Sequence, residues 1–162
     1  MAIRIGEHVD SPLVVRKLAP YRRVLCAAPA YLEEHGTPRE PSDLADPNCL
    51  RTGLLGWGDE WRLACEGREV RVPVSGSFRG DSAEMLRRVA LDGIGTILLP
   101  IWAVAEPLRS GALRRVLGAW EPPASTIYAV YPGNRLISMK VRAFVDHLAR
   151  CFGRKPYWED GL

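Results

Sequence analysis

The sequence lacks the features that mark several large classes of protein. Its four cysteines, Cys26, Cys49, Cys65 and Cys151, are widely spaced and form no Cys-x-x-Cys pair, which argues against a disulfide framework. It shows no signal-peptide pattern and no apolar run of membrane length. We therefore expect reduced thiols, a cytoplasmic location and no membrane partner.

The sequence also lacks a strong charge of either sign. The formal net charge is +3, and the basic pairs Arg22-Arg23, Arg87-Arg88 and Arg114-Arg115 are dispersed along the chain. Surfaces that bind nucleic acids usually concentrate their basic residues on one element. We interpret these pairs as ordinary solvated faces.

Patterns for catalysis, cofactor binding and metal binding are absent or incomplete. The segment Gly93-Ile94-Gly95 lacks the third glycine of a dinucleotide-binding loop and follows a helix where a strand is needed. The segment Val74-Ser75-Gly76-Ser77 lacks the first glycine of a nucleophile elbow. The histidines His8, His35 and His147 have no i, i+4 spacing to one another, and we expect no cysteine near them at the distance of metal ligands. We predict no enzyme, no cofactor and no metal.

The twenty residues from Asp81 to Pro100 carry the clearest structural signal. We expect Asp81 to accept hydrogen bonds from the first turn of a helix, with Glu84 completing a capping box and Ser82 assisting. The amphipathic pattern that follows predicts a helix that ends at Gly93, where a left-handed conformation is favoured.

The run Thr96 to Leu99 is unbroken in its apolar character and predicts a strand buried on both faces. Because a helix leads directly into this strand, we expect α/β architecture. Further strands are predicted at 2–5, 13–18, 23–27, 49–55, 61–65, 69–74, 112–117 and 126–131, and further helices at 30–35, 41–45, 101–110 and 138–152.

Two groups of polar residues are candidates for ligand binding. Arg51, Thr52 and Gly53 follow an apolar strand, and open α/β sheets bind ligands at the carboxyl ends of their strands. Asp81 and Ser82 begin a helix whose amide groups suit an anionic or polar ligand. Ordinary loop chemistry is the simpler explanation for both groups, so the residues alone leave both interpretations open.

Several short segments, taken in order, carry a family resemblance. They are Ala2-Ile-Arg-Ile-Gly6, Arg22-Arg-Val-Leu-Cys-Ala with Pro29-Ala-Tyr-Leu32, Pro41-x-Asp43-Leu44, Cys49-Leu50, Asp81 to Pro100, Gly111-x-Leu113, Tyr128-Ala-Val-Tyr-Pro132, Val141-Arg-Ala-Phe144-Val-x-x-Leu148 and Pro156-Tyr-Trp158. In this order they resemble the C-terminal regulatory domain of LysR-type transcriptional regulators. Each motif is weak alone, but together they span essentially the whole chain.

The resemblance implies an α/β fold similar to the type II periplasmic binding proteins, with two lobes joined by two crossover strands and an incomplete first lobe. Residues 1–18 would be a remnant of the first lobe and a crossover, and residues 19–125 the second lobe. Residues 126–153 would be the return crossover and the last helix of the first lobe, followed by a tail at 154–162. A small organic, anionic effector would bind in the cleft between the lobes.

The resemblance also implies which residues surround that effector. Arg4 is expected to pair with an effector carboxylate, because the planar fork of a guanidinium matches the geometry of a carboxylate. The full expected set is Arg4, Gly6, Arg51, Thr52, Gly53, Asp81 and Ser82.

Members of the family begin with a winged helix-turn-helix, which this sequence does not contain, so DNA would be bound only through that domain. Since Met1 falls inside a strand of the family pattern, we expect the sequence to be part of a longer regulator. The apolar faces of residues 2–5 and of the helix at 138–152 predict self-association. The alternative is a solute-binding protein of the same fold associated with transport.

Overall fold

A computed structural model of the chain describes residues 1–6, 13–45, 47–53, 59–132, 138–153 and 156–162. These residues form two compact units. Unit 1 comprises residues 1–22 and 124–160, and unit 2 comprises residues 23–123 and 161–162. The polypeptide therefore enters unit 2 after Arg22 and leaves it after Pro123, and only its last two residues are assigned to unit 2 again.

The described strands and helices alternate along much of the chain. The strands are β1 (Ala2–Gly6), β2 (Val14–Tyr21), β3 (Arg23–Ala27), β4 (Cys49–Leu50), β5 (Glu60–Cys65), β6 (Arg68–Pro73), β7 (Thr96–Pro100), β8 (Arg114–Arg115) and β9 (Ser125–Tyr131). The helices are α1 (Pro29–His35), α2 (Ala83–Leu91), α3 (Ile101–Ser110) and α4 (Met139–Phe152), with short 3-10 helices at Pro41–Ala45 and Tyr157–Glu159. Of the helices in the described ranges, none combines the length and apolarity needed to cross a membrane.

Unit 1 is a three-stranded antiparallel sheet with strand order β1-β9-β2. Helix α4 packs on β2, and Val145 of this helix is buried against Ala129 and the other core residues of the unit. The tail also belongs to this unit, since Trp158 makes an edge contact with Phe152 at 5.5 Å between ring centroids. Buried Glu159 accepts two hydrogen bonds from the guanidinium of Arg22.

Unit 2 is built around a four-stranded sheet with strand order β4-β7-β3-β8. Strand β4 is parallel to β7, whereas β3 is antiparallel to both of its neighbours. Every residue of β7 is buried, as its unbroken apolar sequence predicts. Strands β5 and β6 form a separate hairpin, and α2 and α3 pack against β7.

Helix α2 begins differently from the prediction. Ser82, not Asp81, is its N-cap residue, and the Ser82 hydroxyl accepts a hydrogen bond from the Met85 amide at 3.3 Å. Asp81 instead accepts a hydrogen bond from the Gly53 amide. The expected capping box is therefore wrong, because the carboxylate that should cap the helix is engaged by a distant segment. Gly93 does adopt the predicted left-handed conformation, with φ +75°.

Two predicted strands are shorter in the structure. The strand expected at 49–55 is limited to Cys49–Leu50, followed by a bridge from Arg51 to Arg79, and residues 54–55 lie outside the described residues. The strand expected at 112–117 contains only Arg114–Arg115. Both segments lie at the margin of the sheet, where pairing partners rather than apolar sequence determine strand length.

Candidate functional site

The carboxyl end of β4 brings three of the predicted site residues next to the start of α2. The Arg51 amide donates to the Phe78 carbonyl at 3.0 Å, and the Gly80 amide donates to the Arg51 carbonyl at 3.0 Å. These two bonds hold the segment before α2 alongside β4. As a result, Arg51, Thr52 and Gly53 face the chain entry into α2, where ligands of open α/β sheets bind.

A hydrogen bond to a side chain also joins the two segments of this site. The Gly53 amide donates to Asp81 Oδ1 at 2.9 Å. A β-carbon on Gly53 would lie only 2.9 Å from the same oxygen, so a larger residue at position 53 would displace the Asp81 carboxylate. Gly53 and Asp81 therefore bind one another, and Ser82 caps the helix, which gives these three predicted residues structural partners within the protein.

Arg51 and Arg79 supply the positive charge of the site, and Arg51 is the more buried of the two. Arg51 Nη1 lies 2.6 Å from Asp59 Oδ1, and Arg79 Nη1 lies 3.9 Å from the same carboxylate oxygen. The Arg51 side chain is 20% exposed, whereas that of Asp59 is 58% exposed. Arg51 Nε is buried and has no hydrogen-bond partner in the described part of the chain. The Arg51 guanidinium is thus largely enclosed by the protein, whereas its counter-ion, the Asp59 carboxylate, is exposed to solvent.

The Asn48 side chain connects several segments at the opposite, amino-terminal end of β4. This residue was not predicted from the sequence. Its Nδ2 donates to the Ile94 carbonyl at 2.7 Å and to Ser77 Oγ at 2.8 Å, and its Oδ1 accepts from the Ser77 amide at 2.6 Å. A β-carbon on Gly95 would lie 2.2 Å from the Asn48 carbonyl oxygen. This amide therefore joins the segment before α2 to the turn after it, and fixes both ends of the helix relative to β4.

The remaining predicted site residues, Arg4 and Gly6, lie in unit 1. They occupy β1, where Arg4 is opposite Tyr128 and Gly6 is opposite Thr126. Arg4 is exposed and Gly6 is half-buried. Thr52, in unit 2, is half-buried. The structure thus gathers Arg51, Thr52, Gly53, Asp81 and Ser82 into one site within unit 2 and places the other two residues on a strand of unit 1.

The thiols of Cys26, Cys49 and Cys151 differ sharply in their surroundings. Burial raises the pKa of Cys26 to about 12, and burial raises the pKa of Cys49 to about 12 although Arg51 opposes the shift. Cys151 is exposed, and its sulfur lies 3.3 Å from His147 Nε2. The expectation that no cysteine lies near a histidine at the distance of metal ligands was therefore wrong, because i, i+4 spacing on α4 places these two residues on one face.

A pair of this kind supplies only two donor atoms. Within the residues that the structure describes, no group of three or more His, Cys, Asp or Glu side chains is arranged to hold a metal ion. A tetrahedral metal site requires four ligands, three of them from the protein in catalytic sites. Among the described residues, the strongest candidate for a ligand-binding site is therefore the Arg51 guanidinium at the carboxyl end of β4.

Comparison with known proteins identifies the family. The model of the LysR substrate binding domain matches residues 1–152. The transcriptional regulator PtxR of Pseudomonas aeruginosa is 32% identical over 157 residues, which cover 97% of this chain and 50% of that protein. DmlR of Escherichia coli is 34% identical over 154 residues, covering 93% of this chain and 49% of that protein. The chain thus spans about half the length of these curated relatives.

The solved structures agree with the sequence comparison. The full-length Vibrio cholerae virulence activator AphB superimposes with a TM-score of 0.81 at 28% identity, covering 91% of this chain and 50% of AphB. The predicted α/β fold, similar to that of periplasmic binding proteins, is confirmed. Because the relatives are named as transcriptional regulators, the alternative of a transport-associated binding protein is not favoured. The chain is a regulatory domain and not an enzyme, and it belongs to the LysR family of transcriptional regulators.

Proposed function

We propose that this chain is the effector-sensing domain of a LysR-family regulator and that it binds a small organic anion. The observation that carries the proposal is the guanidinium of Arg51, which is held at the carboxyl end of β4 with an exposed carboxylate as its partner. Charge-assisted bonds from arginine to a carboxylate are among the stronger polar contacts in proteins. We infer that an effector carboxylate replaces Asp59 on Arg51.

This exchange provides a route from ligand binding to a change in the protein. Asp59 lies directly before β5, and its carbonyl accepts a hydrogen bond from the Val74 amide at 2.8 Å. Displacing its carboxylate would release the ion pair that ties the start of the β5–β6 hairpin to β4. The bound anion would then interact with Arg51 while the hairpin adopts a different average position, which is a population shift driven by differential contacts.

Further parts of the proposal rest on the family resemblance. We propose that unit 1 and unit 2 correspond to the two lobes, and that Arg4 and Gly6 in unit 1 have a part in recognising the effector. We also propose that a separate winged helix-turn-helix domain contacts DNA, that the protein acts in the cytoplasm, and that it self-associates. This chain covers about half the length of each of these two curated relatives.

The test is a binding screen followed by three variants. A panel of short-chain and aromatic carboxylic acids is examined by thermal shift, and each hit is titrated by calorimetry. We expect Arg51→Gln to weaken binding by ~10-fold or more and Asp59→Asn to strengthen it by ~3-fold, because the variants remove the anchor and its competitor respectively. Arg88→Gln is the matched control, since Arg88 is 75% exposed and pairs with Asp92 on α2.

The control variant should bind each acid as the wild type does. Two results would overturn the proposal: no acid in the panel binds the wild-type chain, or Arg51→Gln binds with wild-type affinity. A loss of affinity that is equal in Arg51→Gln and Arg88→Gln would indicate general electrostatic attraction instead of a specific site.

A further inference from the structure

A cavity of about 390 Å³ lies within unit 2, and none of its lining residues belongs to the Arg51 site. Its walls are the 3-10 helix Pro41–Ala45, strand β6 and the segment that carries Trp120. Four consecutive residues of β6, 70–73, line it. Because successive side chains of a strand point to opposite faces, the cavity runs along the edge of β6 that does not pair with β5. Its volume is within the range of about 300–1,000 Å³ that is typical of small-molecule sites.

Hydrogen bonds hold each wall of this cavity in place. The Asp43 carboxylate accepts hydrogen bonds from two backbone amides at the start of the 3-10 helix, the nearer at 2.8 Å. Strand β6 is paired with β5 along its whole length. Glu121 exchanges two backbone hydrogen bonds with Ala64 of β5, which fixes the adjoining Trp120. The cavity is therefore formed before a ligand binds, which lowers the conformational cost of binding.

The inner lining of the cavity is apolar and includes an aromatic ring. Val72 is buried and Val70 is half-buried, and both lie on the same face of β6. Trp120 is half-buried and packs against the core of unit 2. The Arg68 guanidinium carbon lies 5.9 Å from the centroid of the Trp120 ring, within the range of a cation–π contact. A ligand with an aromatic ring suits this lining, because aromatic rings pair favourably with one another.

Uncompensated charges of both signs line the same cavity from two different walls. Glu40 lies directly before the 3-10 helix, whereas Arg71 lies on β6. Both are exposed, and neither forms an ion pair with another residue in the described ranges. Arg71 also lies directly opposite Arg62 of β5, and opposed like charges in a sheet are destabilising. The cavity therefore offers a carboxylate to a cationic group and a guanidinium to an anionic group.

We propose that this cavity binds an aromatic α-amino acid as its zwitterion. The ammonium group pairs with Glu40, the carboxylate pairs with Arg71, and the ring packs on Val72 and Trp120. A simple organic anion fits less well, because it leaves the Glu40 carboxylate without a cation and close to a like charge. The inference goes beyond the proposed function, since both the residues and the net charge of the ligand differ from those of the Arg51 site.

The first test compares ligands by calorimetry. L-phenylalanine is titrated into the wild type and into Arg51→Gln, and we expect the same affinity for both. Three further probes are titrated into Arg51→Gln: phenethylamine lacks the carboxylate, hydrocinnamate lacks the ammonium group, and glycine lacks the ring. Each should bind at least ~10-fold more weakly than L-phenylalanine, because each leaves one part of the cavity without a partner.

The second test compares variants with L-phenylalanine as the probe. Glu40→Gln and Arg71→Gln should each weaken binding by ~10-fold or more, because each removes one charge-assisted contact. Glu106→Gln and Arg88→Gln are the matched controls, since both residues are exposed in unit 2 and lie outside the cavity. The controls should bind L-phenylalanine as the wild type does.

Several outcomes would overturn the inference. One is a wild-type chain that does not bind L-phenylalanine with a dissociation constant below ~1 mM. Another is an affinity that Glu40→Gln and Arg71→Gln leave unchanged, or that the control variants lower equally. Binding that is lost in Arg51→Gln would place the amino acid in the Arg51 site, and equal binding of hydrocinnamate would contradict recognition of a zwitterion. The screen of carboxylic acids decides none of these outcomes, so this inference and the proposed function fail separately.

Discussion

Strands β7 and β1 both carry large apolar side chains, but their surroundings are opposite. Strand β7, Thr96–Pro100, lies inside the unit 2 sheet between β4 and β3, with helices against it, and every residue is buried. Strand β1, Ala2–Gly6, lies at the edge of the unit 1 sheet, and four of its five residues are exposed. Apolar sequence therefore does not ensure burial, which depends on the neighbouring strands and helices that cover the strand.

The same contrast separates the surroundings of the candidate site in unit 2 from those of β1 in unit 1. The covered sheet of unit 2 holds Arg51, Gly53 and Asp81 in fixed positions at the end of a short strand. In unit 1, the open edge exposes Ile3 and Ile5. A rigid sheet suits a binding site, whereas an exposed edge suits association. Our proposal for ligand recognition rests on the residues of unit 2 alone.

Replacing one isoleucine with alanine in each unit should give the largest difference in the free energy of unfolding. Ile97, the second residue of β7, is fully buried, whereas Ile3 is 46% exposed. Ile97→Ala should lower the free energy of unfolding by ~2–5 kcal/mol, since it leaves a cavity in a packed core. Ile3→Ala should change it by less than ~0.5 kcal/mol, because truncating an exposed side chain leaves no cavity in the core. Urea unfolding measures both, and equal losses would contradict the contrast between the units.

Replacing one glycine with alanine in each unit should give the next largest difference in stability. A β-carbon on Gly95 would lie 2.2 Å from the Asn48 carbonyl oxygen, whereas one on Gly6 has no neighbour within 4 Å. We expect Gly95→Ala to destabilise the protein by ~3 kcal/mol because the backbone must move. Gly6→Ala should be neutral or slightly stabilising. Thermal unfolding of the two variants tests this, and a tolerated Gly95→Ala would refute the close packing inferred around Asn48.

Alkaline pH should affect unit 2 through its buried thiols. Burial raises the pKa of Cys26 from 9.0 to about 12 in the folded state, so the unfolded chain loses its thiol proton first. Stability should therefore be retained below pH 9 and should fall as pH rises towards 12, by ~1.4 kcal/mol per pH unit for each such thiol. Chemical unfolding at a series of pH values should show a shallower decline for Cys26→Ala. An unchanged slope in this variant would exclude the thiol as a cause.

Helix capping should give the smallest effect, and it should be similar in both units. Ser82 caps α2 in unit 2, and Ser138 caps α4 in unit 1 by accepting from the Lys140 amide at 3.3 Å. Replacing either serine with alanine should cost ~1 kcal/mol, because a cap acts locally whether or not the sheet is covered. Circular dichroism melts of the two variants provide the measurement. If Ser138→Ala lowers the stability and Ser82→Ala does not, Asp81 and not Ser82 caps α2.

Local signals in the sequence predicted much of the fold. The bounds of α3, Ile101–Ser110, are as predicted, since Gly111 adopts the left-handed conformation directly after it. The burial of β7 is also as predicted from its apolar run. These features depend on residues that are close together in the chain. Periodicity and turn residues are sufficient to reveal them.

Contacts between distant residues could not be predicted in the same way. Asp81 and Ser82 are both good N-cap residues, and the choice between them depends on Gly53, which lies 28 positions away from Asp81. The Asn48 side chain joins Ser77 and Ile94, which are 29 and 46 positions away. No local pattern distinguishes such an asparagine from one in an ordinary loop. The His147 and Cys151 pair, by contrast, has helical spacing and was open to prediction.

The most direct test of the proposed function is a map of effector binding on the amide groups of the chain. The best acid from the screen is titrated into isotope-labelled protein, and backbone amide shifts are followed by NMR. We predict saturable shifts at Arg51, Thr52 and Gly53 that are absent in Arg51→Gln. Saturable shifts confined to other parts of the chain, with these three amides unmoved, would contradict it.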